Sequence, residues 1–521
     1  MTVLSVPPRL HIVVDGEPLP AAAARAVGEV VVRQQLSQPA NCEIQFFDLT
    51  QGLEIEPGMA LQIGFDGNNE ILFRGDVTGL RYRYGPDRGR VIALYAQDRL
   101  HHLQQRQPVR SHVHVTLTEL ARTLVADLGL QVRANEDGPQ WAQWIQHRET
   151  DLELLQRLAS QCGLYFTLRD DELVLLSLEG DGDEVTLSLG RELLEVEAAL
   201  DSTAYCAEVN TLAWNPWRCE ASPGGASSVR SGRQSGLADA AGNAGEDGVR
   251  TLASRAAQDA SQADAAAQAA LDRHGAAVLT LNGVASGNAA LRPGVPLRVR
   301  DLAESLDGRY VLAATVHRFD RQRGYLTSFD TAPPPPPEQP AGVTQVTYGE
   351  VTRVDDPDRL GRIRVTLPLH GDVESDWLEV LLPAAGAGKG LIALPDVGDR
   401  VLLLMVAGDP AQSIVLGGLY GPDEPPDHGG VEGTEVRRYH FLTPGGQLLR
   451  LDDEARSARL ESHGGNYLQL SPGYLRAGNS DGSFLEFTKQ GVRLHAARDM
   501  KIEAPDSSIV ISAQSIDFRR P

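Results

Sequence analysis

The stretch that decides the fold reads GEVTRVDDPDRLGRIRV at residues 349–365 and LPDVGDRVLLLMVAGDPAQSIVLGGLYG at residues 394–421. Short runs rich in valine, isoleucine and leucine alternate here with glycine, proline and aspartate, which is the pattern of strands joined by turns. The candidate strands are 347–354, 362–367, 376–382, 400–406 and 412–419. Five strands within about 75 residues fit a small closed barrel, and the sequence therefore predicts an OB-fold domain at residues 346–421.

The C-terminal residues 441–521 contain a recurring pair of apolar residues that are separated by one position. The pairs are Leu468/Leu470, Leu485/Phe487, Val492/Leu494, Met500/Ile502, Ile509/Ile511 and Ile516/Phe518. From Leu485 onward, the first members follow one another at intervals of seven, eight, nine and seven residues. This spacing predicts short strands joined by turns, and no helical period fits it.

These paired residues cannot close a core within one chain, because each predicted strand can bury only two or three side chains. We therefore predict that several identical chains wrap around a shared axis, with each chain supplying one wall and the paired residues forming the shaft core. Residues 441–521 contain ten basic and ten acidic residues, so the net charge of the chain arises upstream of them. A neutral shaft with a dry core is typical of a mechanical element rather than of a binding surface.

The N-terminal region, residues 1–331, combines strand-like alternation with two readable helices. Each helix begins with a threonine followed three residues later by a glutamate, which is the capping-box pattern, and each ends at a glycine. The signals are Thr116, Glu119 and Gly129 in the first helix, and Thr150, Glu153 and Gly163 in the second. A hairpin is predicted at residues 164–178, and strand-like segments resume at residues 277–331.

Two segments of unusual composition complete the predicted organisation. Residues 221–249 are rich in glycine, serine and alanine, so we expect a mobile loop, followed by an alanine-rich helix at about residues 251–274. Residues 333–337 are five consecutive prolines, which predict a stiff linker. The predicted regions are therefore 1–331, a proline-rich linker at 332–345, the OB domain at 346–421, a connector at 422–440 and the shaft at 441–521.

The composition excludes several classes of function. The 521 residues include 48 Lys and Arg against 70 Asp and Glu, and the formal net charge of −22 opposes nucleic-acid binding. No apolar run approaches the ~20 residues of a membrane helix, and residues 1–10 lack the pattern of a secretory signal, so we expect assembly in the cytoplasm. Cys42, Cys162, Cys206 and Cys219 have no zinc-ligand spacing, and we expect reduced thiols.

Two patterns resemble catalytic motifs without meeting their requirements. The sequence GAGK at residues 386–389 is followed by glycine, whereas a P-loop needs serine or threonine after its lysine. Asp355, Asp356 and Asp358 lie where a turn between strands is predicted, and aspartates in such turns accept hydrogen bonds from backbone N–H groups. We find no pairing of a nucleophile with a base, and we therefore expect no catalytic residues and no cofactor.

Four histidines lie close together in the sequence. His112 and His114 share one face of a predicted strand, and His101 and His102 are nearby. No acidic or cysteine partner has ligand spacing in the sequence, so we interpret these side chains as polar surface and expect no metal.

On these residues the chain resembles the hub-and-spike proteins of contractile injection machines: VgrG proteins, the central spikes of contractile phage tails, and extracellular phage-tail-like particles. The most specific phrases are the two quoted above, together with Trp377 and LPAAGAGKG at residues 382–390. In the N-terminal region, QHRETDLELLQRLASQCGLYF at residues 146–166 and LRPGVPLRV at residues 291–299 are similar to phage hub (late-control) domains.

The resemblance implies a mainly β protein with phage hub-type β-barrels, a few helices, an OB-fold barrel and a C-terminal triple-stranded β-helix, or β-prism, that forms in a homotrimer. It implies that residues 1–331 are the hub, with two tube-type barrels and a helical insert, and that the partners are inner tube and baseplate proteins. The trimer would puncture the target envelope mechanically when the sheath contracts. The alternative is a spike that also carries a cell-wall hydrolase activity.

The chain departs from the family in two places. Only residues 422–440 separate the barrel from the shaft, where some members have a lysozyme-like insert, so we expect no enzyme there. The His-x-His iron site at the tip of some phage spikes is missing here. We therefore expect a separate PAAR-like tip protein to dock on Ile516, Phe518, Arg519 and Arg520.

Overall fold

The structure is a computed structural model that describes residues 9–47, 54–65, 71–85, 89–215, 220–237, 248–253, 257, 259–337, 345–422 and 424–519. The chain divides into two units, Met1–Gly417 and Gly418–Pro521. The first unit therefore contains both the N-terminal region and most of the predicted OB domain.

The strands that precede the proline run are short and follow one another closely. In chain order they are β1 (Leu10–Val14), β2 (Glu17–Pro18), β3 (Val27–Gln35), β4 (Asn41–Phe47), β5 (Ala60–Phe65), β6 (Ile71–Gly85), β7 (Gly89–Gln97), β8 (Arg110–Val115), β9 (Gln131–Ala134), β10 (Trp141–Gln146), β11 (Tyr165–Arg169), β12 (Glu172–Leu176), β13 (Val185–Ser188), β14 (Leu193–Leu200), β15 (Glu208–Asn215), β16 (Glu220–Ala226), β17 (Val249–Ala253), β18 (Leu279–Ser286), β19 (Pro296–Arg300), β20 (Gly308–Val311), β21 (Ala314–Asp320) and β22 (Gly324–Asp330).

Few helices interrupt these strands. They are α1 (Ala21–Ala26), α2 (His101–Gln104), α3 (Leu117–Val125), α4 (Asp151–Gln161) and α5 (Ala260–Ala277). Single 3₁₀ turns lie at Ala126–Leu128, Ser202–Ala204, Pro368–His370, Val406–Gly408 and Pro410–Gln412, whereas Pro426–Gly430 is a turn with left-handed backbone at Asp427, His428 and Gly429. In the part of the chain that the structure describes, no helix has the length and apolar character needed to cross a membrane.

Eleven strands form one continuous sheet that builds the half-barrels of the N-terminal region. Its order is β14-β18-β22-β21-β3-β4-β7-β6-β5-β1-β2. Strands β21 and β3 pair antiparallel and join the four strands β14, β18, β22 and β21 to the seven strands from the beginning of the chain. Apolar side chains alternate along the strands, and their inner members, such as Ile44, Phe46 and Ile92, are fully buried. At the other end of the sheet, Leu281 and Phe329 form a second core with β19.

Both predicted helices of this region are confirmed with their caps. The Thr116 side chain accepts a hydrogen bond from the Glu119 backbone N–H, and the Glu119 carboxylate accepts one from the Thr116 N–H. Thr150 and Glu153 form the same reciprocal pair at the start of α4. Each cap satisfies two N–H groups that have no partner within the helix, which explains where these helices begin.

The prediction of a mobile loop at residues 221–249 is wrong where the structure describes that segment. Strand β16 pairs with β15 and lies against α5, and β17 pairs with the other side of β15. A Cβ atom on Gly224 would lie 2.4 Å from the backbone carbon of Ala263 in α5, so this glycine permits close packing rather than mobility. Residues 238–247 lie outside the described residues. Helix α5 begins at Ala260, after the Asp259 cap, and not near residue 251.

The OB domain consists of β23 (Gln345–Arg353), β24 (Arg364–Leu367), β25 (Val373–Glu374), β26 (Glu379–Val380), β27 (Arg400–Met405) and β28 (Ser413–Leu419), paired in the order β25-β24-β23-β27-β28-β26. Val351, Val365, Leu403 and Val415 form its buried core. Four of the five predicted strands are confirmed, whereas the strand predicted at residues 376–382 is reduced to two residues. Trp377 is buried.

The second unit is built almost entirely from an antiparallel meander. Its strands are β29 (Val431–Glu432), β30 (Glu435–Val436), β31 (Arg438–Leu442), β32 (Leu448–Asp452), β33 (Ser457–Glu461), β34 (Tyr467–Ser471), β35 (Tyr474–Gly478), β36 (Phe484–Thr488) and β37 (Gly491–His495). Strands β31 to β37 pair strictly in sequence order. No strand is assigned in residues 496–519, which the structure describes, and the sheet shows no β-helix within the single chain.

Candidate assembly surfaces

The seven-stranded sheet of the second unit has one face that is wholly apolar or aromatic. Because directly paired residues of adjacent strands point to the same side, the register groups Leu449 with Leu460, Leu460 with Leu468, and so on across the sheet. The full set, called here the apolar face, is Tyr439, Phe441, Leu449, Leu451, Ala458, Leu460, Leu468, Leu470, Leu475, Ala477, Leu485, Phe487, Val492 and Leu494. Ten of these side chains remain at least 40% exposed, so the chain leaves this face largely uncovered.

The opposite face of the same sheet carries the charged side chains, which are well paired, together with Leu442, Leu448, Tyr467 and Phe484. Arg459 donates hydrogen bonds of 2.8 Å to Glu461 and to Gln469, and Arg476 donates one of 2.8 Å to Glu486. The hydrogen bond from the Arg459 guanidinium lowers the pKa of the Glu461 carboxyl. Paired charges of this kind are compatible with water, whereas contact of leucine side chains with water is unfavourable. The apolar face therefore favours contact with another apolar surface, whereas the opposite face can remain in water.

Half of the residues predicted for the shaft core lie together on the apolar face. They are Leu468, Leu470, Leu485, Phe487, Val492 and Leu494. The sequence reading missed the first half of this face, although FLTPGGQLLRLD at residues 441–452 has the same period-two alternation. It also placed Arg438 and Tyr439 in a connector, whereas β31 begins at Arg438.

The other six predicted core residues lie in the segment 496–519, outside any strand. Met500, Ile502, Ile509, Ile511, Ile516 and Phe518 are all exposed, and Phe518 is 93% exposed. At the predicted tip, Arg519 has an ion-pair distance of 3.6 Å to Asp517, and Arg520 lies outside the described residues. The predicted shaft core in this segment and the predicted tip docking site therefore stay predictions.

The aspartate-containing turn of the OB domain is structural in its geometry. The Asp356 carboxylate accepts hydrogen bonds from the backbone N–H groups of Asp358 (3.1 Å) and Leu360 (2.8 Å). It also forms a two-pronged ion pair with the Arg362 guanidinium, at 2.7 and 3.0 Å. Chiefly because of Arg362, the pKa of Asp356 is held far below its ordinary value. Asp355 pairs separately with Arg353, so the turn reading of these aspartates is confirmed.

The loop at residues 386–389 is likewise a turn. The backbone N–H and carbonyl groups of Gly386 and Lys389 form two reciprocal hydrogen bonds of 3.1 Å, which close a two-residue β-turn. The N–H groups of Gly386 and Lys389 are therefore committed to the turn rather than arranged around a phosphate.

The OB domain is attached to the N-terminal region through β10, within the first unit. The Gln143 side chain donates a hydrogen bond to the Glu374 carbonyl (2.9 Å) and accepts one from the Asp376 N–H (2.6 Å). Two residues later, Ile145 is 2% exposed and belongs to the core cluster of the OB domain. Strand β10 thus contributes both a hydrogen-bonded amide side chain and a buried apolar side chain to the contact with the OB domain. The sequence of β10 by itself carries no signal of this role.

Two family models match this chain. Residues 347–420 match the type VI secretion system/phage-baseplate injector OB domain, and residues 8–320 match the Alg8 N-terminal domain. Among curated proteins, the type VI secretion system spike protein VgrG4b of Pseudomonas aeruginosa is 25% identical over 492 residues, which cover 82% of this chain and 59% of that protein. The chain therefore spans about three fifths of the length of this relative.

Solved structures show the same fold. The E. coli c3393 protein, a type VI secretion component with structural similarity to the T4 bacteriophage tail proteins gp27 and gp5, aligns with a TM-score of 0.50 at 15% identity, over 75% of this chain and 96% of that chain. A chain of the Francisella PdpA–VgrG complex aligns with a TM-score of 0.54 at 8% identity, over 95% of this chain and 89% of that chain.

Proposed function

Because this chain belongs to the Alg8 N-terminal domain family and is a VgrG-like spike component of a contractile injection system, we propose that three copies of it form the central hub and spike. In this proposal the N-terminal region docks the inner tube and baseplate proteins, the OB domain forms a collar, and residues 438–521 form the piercing shaft. The trimer punctures the target envelope mechanically.

The observation that carries this proposal is the uncovered apolar face. Seven strands spaced ~4.8 Å apart extend this face over roughly 29 Å, and each strand contributes two apolar or small side chains. A single sheet with one bare face of this size favours association, because full burial of a leucine-sized side chain is worth about 1.5–3 kcal/mol. Three such sheets around one axis would point every apolar face inward and every paired polar face outward.

The same arrangement accounts for the segment 496–519. A strand needs a neighbour whose N–H and carbonyl groups it can pair with, and the described residues beyond β37 pair with no strand of their own chain. We propose that neighbouring copies supply these partners, so that Met500, Ile502, Ile509 and Ile511 join the shaft core on assembly. The resulting triple-stranded β-prism would then extend to residues 516–520.

At the end of the shaft, a separate PAAR-like protein is proposed to cap the tip. Three copies of Phe518 would form an apolar end, and unpaired strand edges of this kind are normally covered. Ile516, Arg519 and Arg520 would surround Phe518 at this seat. We also propose that the chain has no enzymatic activity, since the aspartates that could serve as an acid pair are committed to arginines in the OB turn.

Light scattering of the purified full-length chain tests this proposal. We expect three times 56.2 kDa at micromolar concentration. A soluble monomer at that concentration would contradict the trimeric shaft. A cell-wall digestion assay on the same sample separates the two versions of the function, because release of peptidoglycan fragments would show that the spike is also a hydrolase.

A further inference from the structure

In the described part of the chain, one group of metal-ligating side chains comes within reach of a single ion. Asp76 lies in β6, and His101 and His102 form the start of α2, which follows β7 directly. One ligating atom from each residue lies within 4.8 Å of the other two. We propose that Asp76, His101 and His102 bind one divalent transition-metal ion in the N-terminal region.

The distances suit one shared ion. The Asp76 carboxylate oxygen Oδ2 lies 3.1 Å from Nε2 of His102 and 4.0 Å from Nδ1 of His101. Two ligands that are each about 2.1 Å from a tetrahedral ion stand roughly 3.4 Å apart, which falls between these two values. The two imidazole rings are also adjacent, with their centroids 4.0 Å apart. Small side-chain rotations would therefore be enough to close the site around an ion.

The surroundings hold the ligands in place and leave one route for an ion to enter. His101 is buried, and the Asp98 carbonyl oxygen lies 2.8 Å from the same Nδ1, so this nitrogen exchanges that contact for the ion when the site is occupied. The Asp98 carboxylate is itself held by the backbone N–H groups of Ala40 (2.8 Å) and Leu100 (3.0 Å). By contrast, the His102 side chain is 40% exposed and the Asp76 side chain is 23% exposed. The site is thus anchored on one side and open to solvent on the other.

The ligand set indicates the class of ion. Two imidazoles and one carboxylate suit Zn²⁺ and the neighbouring ions Co²⁺ and Ni²⁺, whereas Ca²⁺ and Mg²⁺ prefer sites made only of oxygen ligands. Three protein ligands leave at least one position for water. Such an ion would join β6 to α2 and brace the end of the half-barrel sheet.

The experiment uses the full chain after EDTA treatment and dialysis. Zn²⁺ binding is measured by equilibrium dialysis with elemental analysis, and Co²⁺ binding by its visible d–d absorption. We expect about one saturable ion per chain with an increase in melting temperature. Loss of a residue that only supports a metal ligand typically reduces metal affinity roughly 10–100-fold. Asp76→Asn and His102→Gln each remove a ligand, so we expect each to reduce the affinity for Zn²⁺ and Co²⁺ by more than that.

The matched control is His11→Gln, which removes an exposed histidine elsewhere and should leave binding unchanged. If Asp76→Asn alone destabilises the metal-free protein, the more exposed His102→Gln variant carries the test. Absence of saturable binding by the unmodified chain overturns the proposal. Co²⁺ absorption that is unchanged in both site variants overturns it as well, because the ion would then bind other histidines.

Discussion

Replacing Leu470 by aspartate should abolish the trimer, whereas the same replacement at the adjacent Ser471 should not. Leu470 lies on the apolar face and is 48% exposed in the single chain, while Ser471 lies on the polar face. The two variants introduce an identical carboxylate one position apart on one strand. Period-two alternation is therefore the one structural difference that the pair tests.

The magnitude follows from the uncovered part of the side chain. Burying the remaining half of Leu470 is worth about 0.7–1.5 kcal/mol per copy, or about 2–4.5 kcal/mol per trimer. Three unpaired carboxylates facing a dry axis add a cost of several kcal/mol each. Together these losses approach the entire stability of a typical domain, about 5–15 kcal/mol. At Ser471, the carboxylate stays beside water and beside the Gln469 amide that now donates to the serine hydroxyl (3.0 Å), so we expect a change within about 0.5 kcal/mol.

Light scattering combined with size-exclusion chromatography measures the mass of both variants, and resistance of the assembly to detergent gives a second readout. We expect monomer or aggregate for Leu470→Asp and three times 56.2 kDa for Ser471→Asp. A trimer of equal stability in both variants would refute the assignment of the apolar face to the shaft interior. If the chain were a functional monomer, Leu470→Asp would instead be nearly neutral, because the side chain is already half exposed.

Three further predictions test other parts of the chain. Asp356→Asn should lower the free energy of unfolding measured in urea by about 3 kcal/mol, because Arg362 loses its buried carboxylate partner while the exposed Asp358 remains. Asp355→Asn removes an exposed ion pair and should have a much smaller effect. Burial lowers the pKa of His317 to about 3. The stability that comes from its neutral form is therefore complete above pH 6.5 and is lost as the pH falls towards 3. Urea midpoints of His317→Gln should accordingly change less between pH 7 and 5 than those of the unmodified chain. Ile502→Asp should reduce the heat resistance of the trimer more than Lys501→Asp.

Each of these predictions has an outcome that would contradict it. Equal losses for Asp355→Asn and Asp356→Asn would mean that burial of the ion pair is unimportant. An unchanged pH profile in His317→Gln would show that other groups cause the acid sensitivity. Equal effects at Ile502 and Lys501 would mean that the proposed strand in the shaft is shifted by one residue.

The elements that the sequence predicted correctly depend on residues close together in the chain. The capping box of Thr116 and Glu119, for example, spans one helical turn. The aspartate turn that ends in Arg362 is also local. Such features involve few competing partners, so residue type and spacing are enough to identify them.

The errors arose where distant segments decide the structure. Gly224 lies in a segment whose composition is typical of a loop, yet the segment pairs with β15 as a strand, and α5 packs against it too closely for a larger side chain at Gly224. Met500 and Ile502 have strand periodicity but lie outside any strand in the described residues, and their place in the shaft core stays a prediction. Periodicity shows which residues share a face, but it cannot identify the partner that pairs with them.

By itself, the sequence determined the OB domain, the capped helices and the alternation of apolar residues in the C-terminal strands, because each is encoded by local spacing of apolar, turn and capping residues. Only the tertiary structure decided that Ile145 belongs to the OB core, that Tyr439 and Leu449 extend the apolar face, and that Asp76 stands beside His102. The physical reason is that side chains separated by tens or hundreds of residues meet only when strand order and register have placed them there.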